Sequence, residues 1–249
     1  MPVAIPVLMY HHINPHCGDT VTVTPEIFEA QMHFLAVSGY RTLSLPELLD
    51  HVSEVRSLSE KAVVITFDDG WLDNYRFAVP VLARLCFKAA FFVITARVDA
   101  ASVTGCTEVA GFPCHDEAKR LIVNGHAEQV VLDWGTINGL ACSGLFEFHS
   151  HTVSHCRSAD LERKVLVTEL LESKLRLEQK LGRPSPYLCW PYGSFTRETV
   201  ALAIKAGYEA LFTTIEGFTT AGADRFMLKR FEVQNDLAWF KELLQASHP

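Results

Sequence analysis

The sequence has no run of basic residues, no C-x-x-C pair, no internal repeat and no low-complexity linker. Without a Lys/Arg-rich run, and with a formal net charge of −7 over 249 residues, it offers nothing to a phosphate backbone, so no nucleic acid is expected as a partner. A neutral or cationic substrate fits the charge better. The opening Met1-Pro2-Val3-Ala4-Ile5-Pro6-Val7-Leu8-Met9-Tyr10 carries no basic n-region and no small-residue cleavage site. It is also too short to span a bilayer. The expectation is therefore a cytoplasmic chain without a membrane span, unless a leader has been removed. The seven cysteines, Cys17, Cys86, Cys106, Cys114, Cys142, Cys156 and Cys189, are odd in number, and several sit in apolar segments. That predicts reduced, buried thiols in a reducing compartment.

What is present is an ordinary globular composition, 49% hydrophobic and 20% charged, enough for one large α/β domain over residues 1–249. Apolar, β-branched runs at 3–9, 40–43, 62–67, 88–94, 145–148, 187–190, 208–213 and 226–233 read as strands. Helical signals fall between them. Thr24-Pro25 opens one helix and Gly39 stops it, and Ser44-Leu45-Pro46-Glu47 has capping-box spacing. Residues 73–87 read as an amphipathic helix that Pro80 either kinks or starts late, Asp133-Trp134 opens another, and Ser158 caps a long one through Leu181. Thr196 caps a further helix, and the last begins at Asp236. The period is lost between residues 97 and 131, apart from a short helical signal around Asp116 to Val123, and the stretch reads as an insertion over the site or a partner surface. The alternation predicts a parallel sheet of about seven or eight strands, open or closed into a barrel.

The organising stretch is Ala62-Val63-Val64-Ile65-Thr66-Phe67-Asp68-Asp69-Gly70. An unbroken apolar run reads as a strand buried on both faces, so the two carboxylates fall at its carboxyl end, where α/β folds gather ligands. Adjacent like charges need a cation or a shared proton between them, unless they belong to a plain solvated turn. His151 and His155 follow another strand at a spacing that aligns both imidazoles if a helical turn follows, though two histidines can also simply line a polar surface. Two imidazoles and a carboxylate make a three-ligand metal set with an open position for water, leaving the second carboxylate as a general base. The same set also suits a non-haem iron oxygenase.

Thr66-Phe67-Asp68-Asp69-Gly70, His151-Thr152-Val153-Ser154-His155 and Trp190-Pro191-Tyr192-Gly193 together resemble the successive motifs of the polysaccharide deacetylases, carbohydrate esterase family 4. Pro6-Val7-Leu8-Met9-Tyr10-His11 and Leu132-Asp133-Trp134 extend the resemblance, which is nearest to the poly-N-acetylglucosamine subgroup. It implies a distorted (β/α) barrel of about seven repeats that removes an N-acetyl group from an amino-sugar glycan or glycoconjugate. It further implies that Asp69, His151 and His155 bind one divalent metal, Zn2+, that Asp68 is the base, and that the Tyr192 N–H, beside Pro191, holds the oxyanion. Two departures stand out. Cys189 occupies the place of an arginine that orients the base, and no late Leu-x-His histidine protonates the leaving amine. His11, His12 or His149 could substitute, or Asp68 could return its own proton. For His149 and His12 the alternative is a hydrogen-bonded neighbour. These departures also leave room for a non-catalytic, glycan-binding relative. Trp71 and Trp134 read as sugar-stacking groups or as packing, and Lys229-Arg230 as a solvated pair or a contact to an anionic part of the substrate.

Overall fold

The computed structural model describes residues 4–16, 18–55, 60–105 and 111–246. Strands β1 (Val7–Tyr10), β2 (His12–Ile13) and β3 (Thr22–Val23) lead into helix α1 (Pro25–Val37), then β4 (Arg41–Thr42), α2 (Leu45–Val52) and the long β5 (Ala62–Asp69). Next come α3 (Val79–Arg84), β6 (Ala89–Val93), α4 (Thr95–Thr104), α5 (His115–Val123), α6 (Trp134–Ala141) and β7 (Phe146–Ser150). The chain closes with α7 (Arg163–Leu181), β8 (Tyr187–Cys189), α8 (Arg197–Lys205), β9 (Ala210–Phe212), β10 (Phe231–Glu232) and α9 (Leu237–Ala246).

The main sheet runs β10-β1-β5-β6-β7-β8-β9, with β4 on the lower part of β5, and every pair is parallel. Leu228, just before β10, bridges back in parallel to Phe212 of β9, so the sheet curls into a distorted (β/α) barrel. All eight residues of β5 are buried, as expected for a strand covered on both faces.

The alternation of β5 sorts its side chains between two cores. Val63, Ile65 and Phe67 pack outward under the helices, with Phe28, Met32 and Leu35 of α1. There, Tyr10, Phe67, Phe91 and Phe148 form a stacked ladder across β1, β5, β6 and β7, with centroids 5.4, 4.8 and 5.1 Å apart. Ala62 and Val64 face the barrel interior with Phe92, Tyr187 and Phe212. Each fully buried phenylalanine contributes roughly 1.5–3 kcal/mol of transfer free energy. Asp68, in phase with Val64 and Thr66, is thereby delivered to the top of the barrel interior.

Several predicted elements change on folding. Residues 97–131, read as irregular but for a short helix at 116–123, contain α5 where that helix was expected, and also α4 and a turn at Ala127–Gln129, with 106–110 outside the described residues. The helix predicted at 73–87 opens as a π-type turn, Asn74–Ala78, and becomes α-helical at Val79, because Pro80 has no N–H to give and sits in the first turn. The long helix starts at Arg163, since Ser158–Asp160 forms a separate 3-10 turn. The strand expected at 226–233 shrinks to Phe231–Glu232. Cys86, Cys114, Cys142, Cys156 and Cys189 are free thiols, but only Cys189 is buried, which corrects the expectation of buried cysteines; Cys17 and Cys106 lie outside the described residues. No helix among the described residues is long and apolar enough to cross a membrane.

Candidate active site

Asp69 ends β5 with a positive φ of 71°, followed by Gly70 at 76°. A Cβ at Gly70 would lie 3.1 Å from Val93 Cγ1, so the exit from the strand combines a left-handed turn with close strand-to-turn packing. This turn breaks the alternation and brings the Asp69 carboxylate over the barrel mouth. There, its Oδ1 lies 3.5 Å from His151 Nε2 and 3.1 Å from His155 Nε2. The two rings are 4.9 Å apart. The predicted helical turn between them is absent. The backbone instead passes through left-handed Thr152 (φ 64°) and His155 (φ 62°), and the imidazoles converge by that route. Glu169 of α7 holds the turn, accepting the Val153 and Ser154 N–H groups, each at 2.9 Å, and the Ser154 hydroxyl at 2.8 Å. Thr152, His155, Asp69 and Tyr192 all have positive φ, and such strain persists where surrounding structure over-determines it.

The donor set fits a cation. Asp69 Oδ1 is buried without a hydrogen-bond partner, while Oδ2 accepts the Trp71 indole N–H at 3.1 Å. His151 Nδ1 donates to the Cys189 carbonyl at 2.8 Å, which leaves its Nε2 lone pair directed at Asp69. Burial pushes His151 down to about 4, so its ring is neutral near pH 7. Burial raises Asp69, but the adjacent His155 and the charges of His151 and His11 outweigh it and hold the carboxyl well below its usual range. A carboxylate oxygen facing two imidazole nitrogens is a ligand arrangement for a divalent metal.

Asp68, one residue earlier, has a different environment. Arg230 grips it with both arms, Nη1 to Oδ1 at 2.8 Å and Nη2 to Oδ2 at 2.7 Å, and both residues are buried. The Cys189 thiol lies 3.5 Å from Oδ2, and Arg230 Nη2 is 2.9 Å from its sulfur. Burial raises Asp68, and the Arg230 charge and hydrogen bonds, followed by His151 and His11, bring it down to about 2. Arg230 corrects the sequence reading: it is neither solvated nor a substrate contact, but a buried positioning group for the carboxylate. The gap left by cysteine at 189 is thus filled from the segment beside β10.

A cavity of about 390 Å³ opens above these groups, lined among others by His11, Asp68, Asp69, His151, His155 and Tyr192. His11 Nε2 is 4.0 Å from Asp68 Oδ2. Tyr192 is left-handed (φ 58°), about half exposed, and packs its ring 4.5 Å from His155. Pro191 is buried in the turn beneath it and does not line the cavity. Three further expectations are corrected. His149 shares the inward face of β7 with His151 but lies deeper, 3.3 Å from Glu147 and packed on Tyr187, so it does not line the cavity. Trp71 is only 1% exposed and serves Asp69 through its N–H. Trp134, 5% exposed, donates to Asp99 at 2.7 Å away from the cavity.

Residues 56–211 match the family model described as polysaccharide deacetylase. Of Bacillus subtilis proteins, "Putative polysaccharide deacetylase YxkH" is 28% identical over 232 residues, spanning 93% of this chain and 72% of that protein. The Escherichia coli poly-β-1,6-N-acetyl-D-glucosamine N-deacetylase is 21% identical over 86% of this chain, which spans only 34% of that longer protein. Among solved structures, Streptococcus pyogenes deacetylase PplD in complex with acetate superposes with a TM-score of 0.82 at 26% identity, covering 100% of both chains.

Proposed function

Because the chain belongs to the polysaccharide deacetylase family, a family of hydrolases, we propose that it removes the N-acetyl group of an amino-sugar glycan or glycoconjugate. The observation that carries this reading is the division of labour between two adjacent carboxylates, Asp69 facing two imidazoles and Asp68 gripped by Arg230. Asp69, His151 and His155 would hold one divalent metal, zinc by the character of the set. When bound, such a cation supplies Lewis acidity to the amide carbonyl and acidifies a water.

The chain's own groups do the rest. Asp68, ionised at neutral pH, accepts the proton of the attacking water. The Tyr192 backbone N–H, at the cavity lip, donates to the developing oxyanion. His11 lines the same cavity at 4.0 Å from Asp68 and is the proton donor to the leaving amine, a role for which His149 is too deep. The water oxygen bonds to the acetyl carbon, the C–N bond breaks, and amine and acetate leave. Arg230 supplies the base-orienting arginine whose absence at position 189 motivated a non-catalytic reading, and a parallel barrel weighs against the oxygenase reading, whose triads often sit on jelly rolls.

The deciding experiment measures acetate release from N-acetylglucosamine oligomers by zinc-loaded protein beside Asp68→Asn. Release by the wild type alone, with zinc retained in both, supports the base and the reaction together. No release from either protein, with one zinc bound in each, rejects the catalytic reading for this substrate.

A further inference from the structure

Outside the metal set and the base, three titratable side chains form a hydrogen-bonded row. Asp73 Oδ2 lies 2.6 Å from His12 Nδ1, and His12 Nε2 lies 3.0 Å from His115 Nδ1. Asp73 and His12 are buried, at 4% and 1% exposure. Asn14 donates its side-chain N–H to the same Asp73 oxygen at 3.1 Å, and the His12 ring stacks on Trp71 at 4.3 Å. His115, the first residue of α5, is half-buried and lines the cavity that contains Asp68 and the metal set. A surface histidine would have no need of such an anchor.

The row has a direction. An ionised carboxylate only accepts, so His12 Nδ1 carries the hydrogen. With that single ring hydrogen, His12 accepts at Nε2, and His115 Nδ1–H is then the donor. The remaining polar atom of His115, Nε2, is left with a lone pair on the cavity-lining ring. Burial is the largest cause that lowers the pKa of His115, which favours this neutral form of the ring.

We propose that His115 is a substrate-positioning residue that accepts a hydrogen bond from a sugar hydroxyl, with its tautomer fixed through His12 by Asp73. The inference rests on the amino-sugar reading of the same cavity. It assigns a recognition role to the segment between β6 and α6, and it makes Asp73 a residue that sets the polarity of an atom two imidazoles away. Exchange of the carboxylate for an amide lets the amide N–H donate to His12 Nδ1. That reverses both tautomers and turns an N–H of His115 toward the cavity, the same logic by which an aspartate holds a catalytic histidine in one tautomer.

The test combines nitrogen-15 NMR of the histidine rings with binding and turnover of an N-acetylglucosamine tetramer by zinc-loaded protein. The expected spectrum places the His115 hydrogen on Nδ1 in the wild type and on Nε2 in Asp73→Asn. His115→Ala is expected to weaken tetramer binding and raise KM about tenfold, the effect of one lost hydrogen bond, with kcat little changed. His115→Gln, whose amide oxygen can take the Nε2 position, is expected to recover most of that loss. A His115 hydrogen on Nε2 in the wild type, an imidazolium, or unchanged binding and KM in His115→Ala would overturn the proposal. Failure of the deacetylase reading looks different: the wild type would release no acetate, while His115→Ala would still bind the tetramer more weakly than the wild type.

Discussion

Asp68 and Arg230 form a buried, two-armed ion pair, so neither can be removed cheaply. Leaving one member of a buried ion pair uncompensated costs roughly 3–5 kcal/mol. Arg230→Gln is therefore expected to lower the denaturant midpoint markedly. In the folded fraction it also raises the Asp68 pKa from about 2, because the counter-charge that opposes burial is gone. The base must be ionised to work, so the acidic limb of the acetate-release profile is expected to move to higher pH; a profile with an unmoved acidic limb would show that Arg230 does not act on the base. Arg230→Lys keeps the charge but not the two-armed grip, and an intermediate profile is expected. The contrast between these residues explains what the sequence displays. Asp68 and Asp69 close an apolar run, and His151 and His155 follow another, so pattern and strand end coincide. Arg230 belongs to a short segment with no periodicity, and only the closure of the barrel carries it 162 residues back to its partner.

Elements begin where local chemistry dictates. At α2 the Ser44 hydroxyl accepts the Glu47 N–H at 3.4 Å, while the Glu47 carboxylate accepts the Ser44 N–H at 2.8 Å. Ser44→Ala is expected to cost about 1 kcal/mol in thermal or chemical denaturation. Glu47 also accepts from Lys88 at 2.8 Å and pairs with Arg41. Burial raises its pKa, but Lys88 and the Ser44 hydrogen bonds bring it down from 4.5 to about 2. A depressed carboxyl stabilises the fold fully above its unfolded value and loses that contribution as pH falls through its folded value. The stability gap between wild type and Glu47→Gln is thus expected to narrow from pH 5 to about pH 2, and a gap constant across that window would detach Glu47 from the cap and the pair. The caps at Thr24, Ser44, Asp133 and Thr196 were all legible, since each is a side chain acting within three residues. Helix α5 was legible as a short helix at 116–123, but α4 was not: it buries only Thr95, Val98 and Ala101, so it shows no wide apolar stripe.

At the scale of the whole molecule, the barrel brings chain ends of β1, β5, β7 and β8 to one mouth, and a metal there would tie β5 to β7 across the intervening β6. A ligand that binds only the folded state stabilises it by mass action, by about 2.7 kcal/mol at a free concentration one hundred times its dissociation constant. For a domain of this size each kcal/mol shifts the midpoint by roughly 2–4 °C, so saturating zinc is expected to raise Tm by about 5–10 °C, reversibly on chelation. His155→Ala removes one of three ligands and is expected to abolish most of that rise. His33→Ala, at an exposed histidine of α1, is the control that should keep it. The comparison separates a built site from casual binding of zinc to surface imidazoles, because casual binding would be lost in proportion to histidine count and not to position. Equal zinc shifts in wild type and His155→Ala would place the metal elsewhere and leave the convergence of Asp69, His151 and His155 without a cation to explain it.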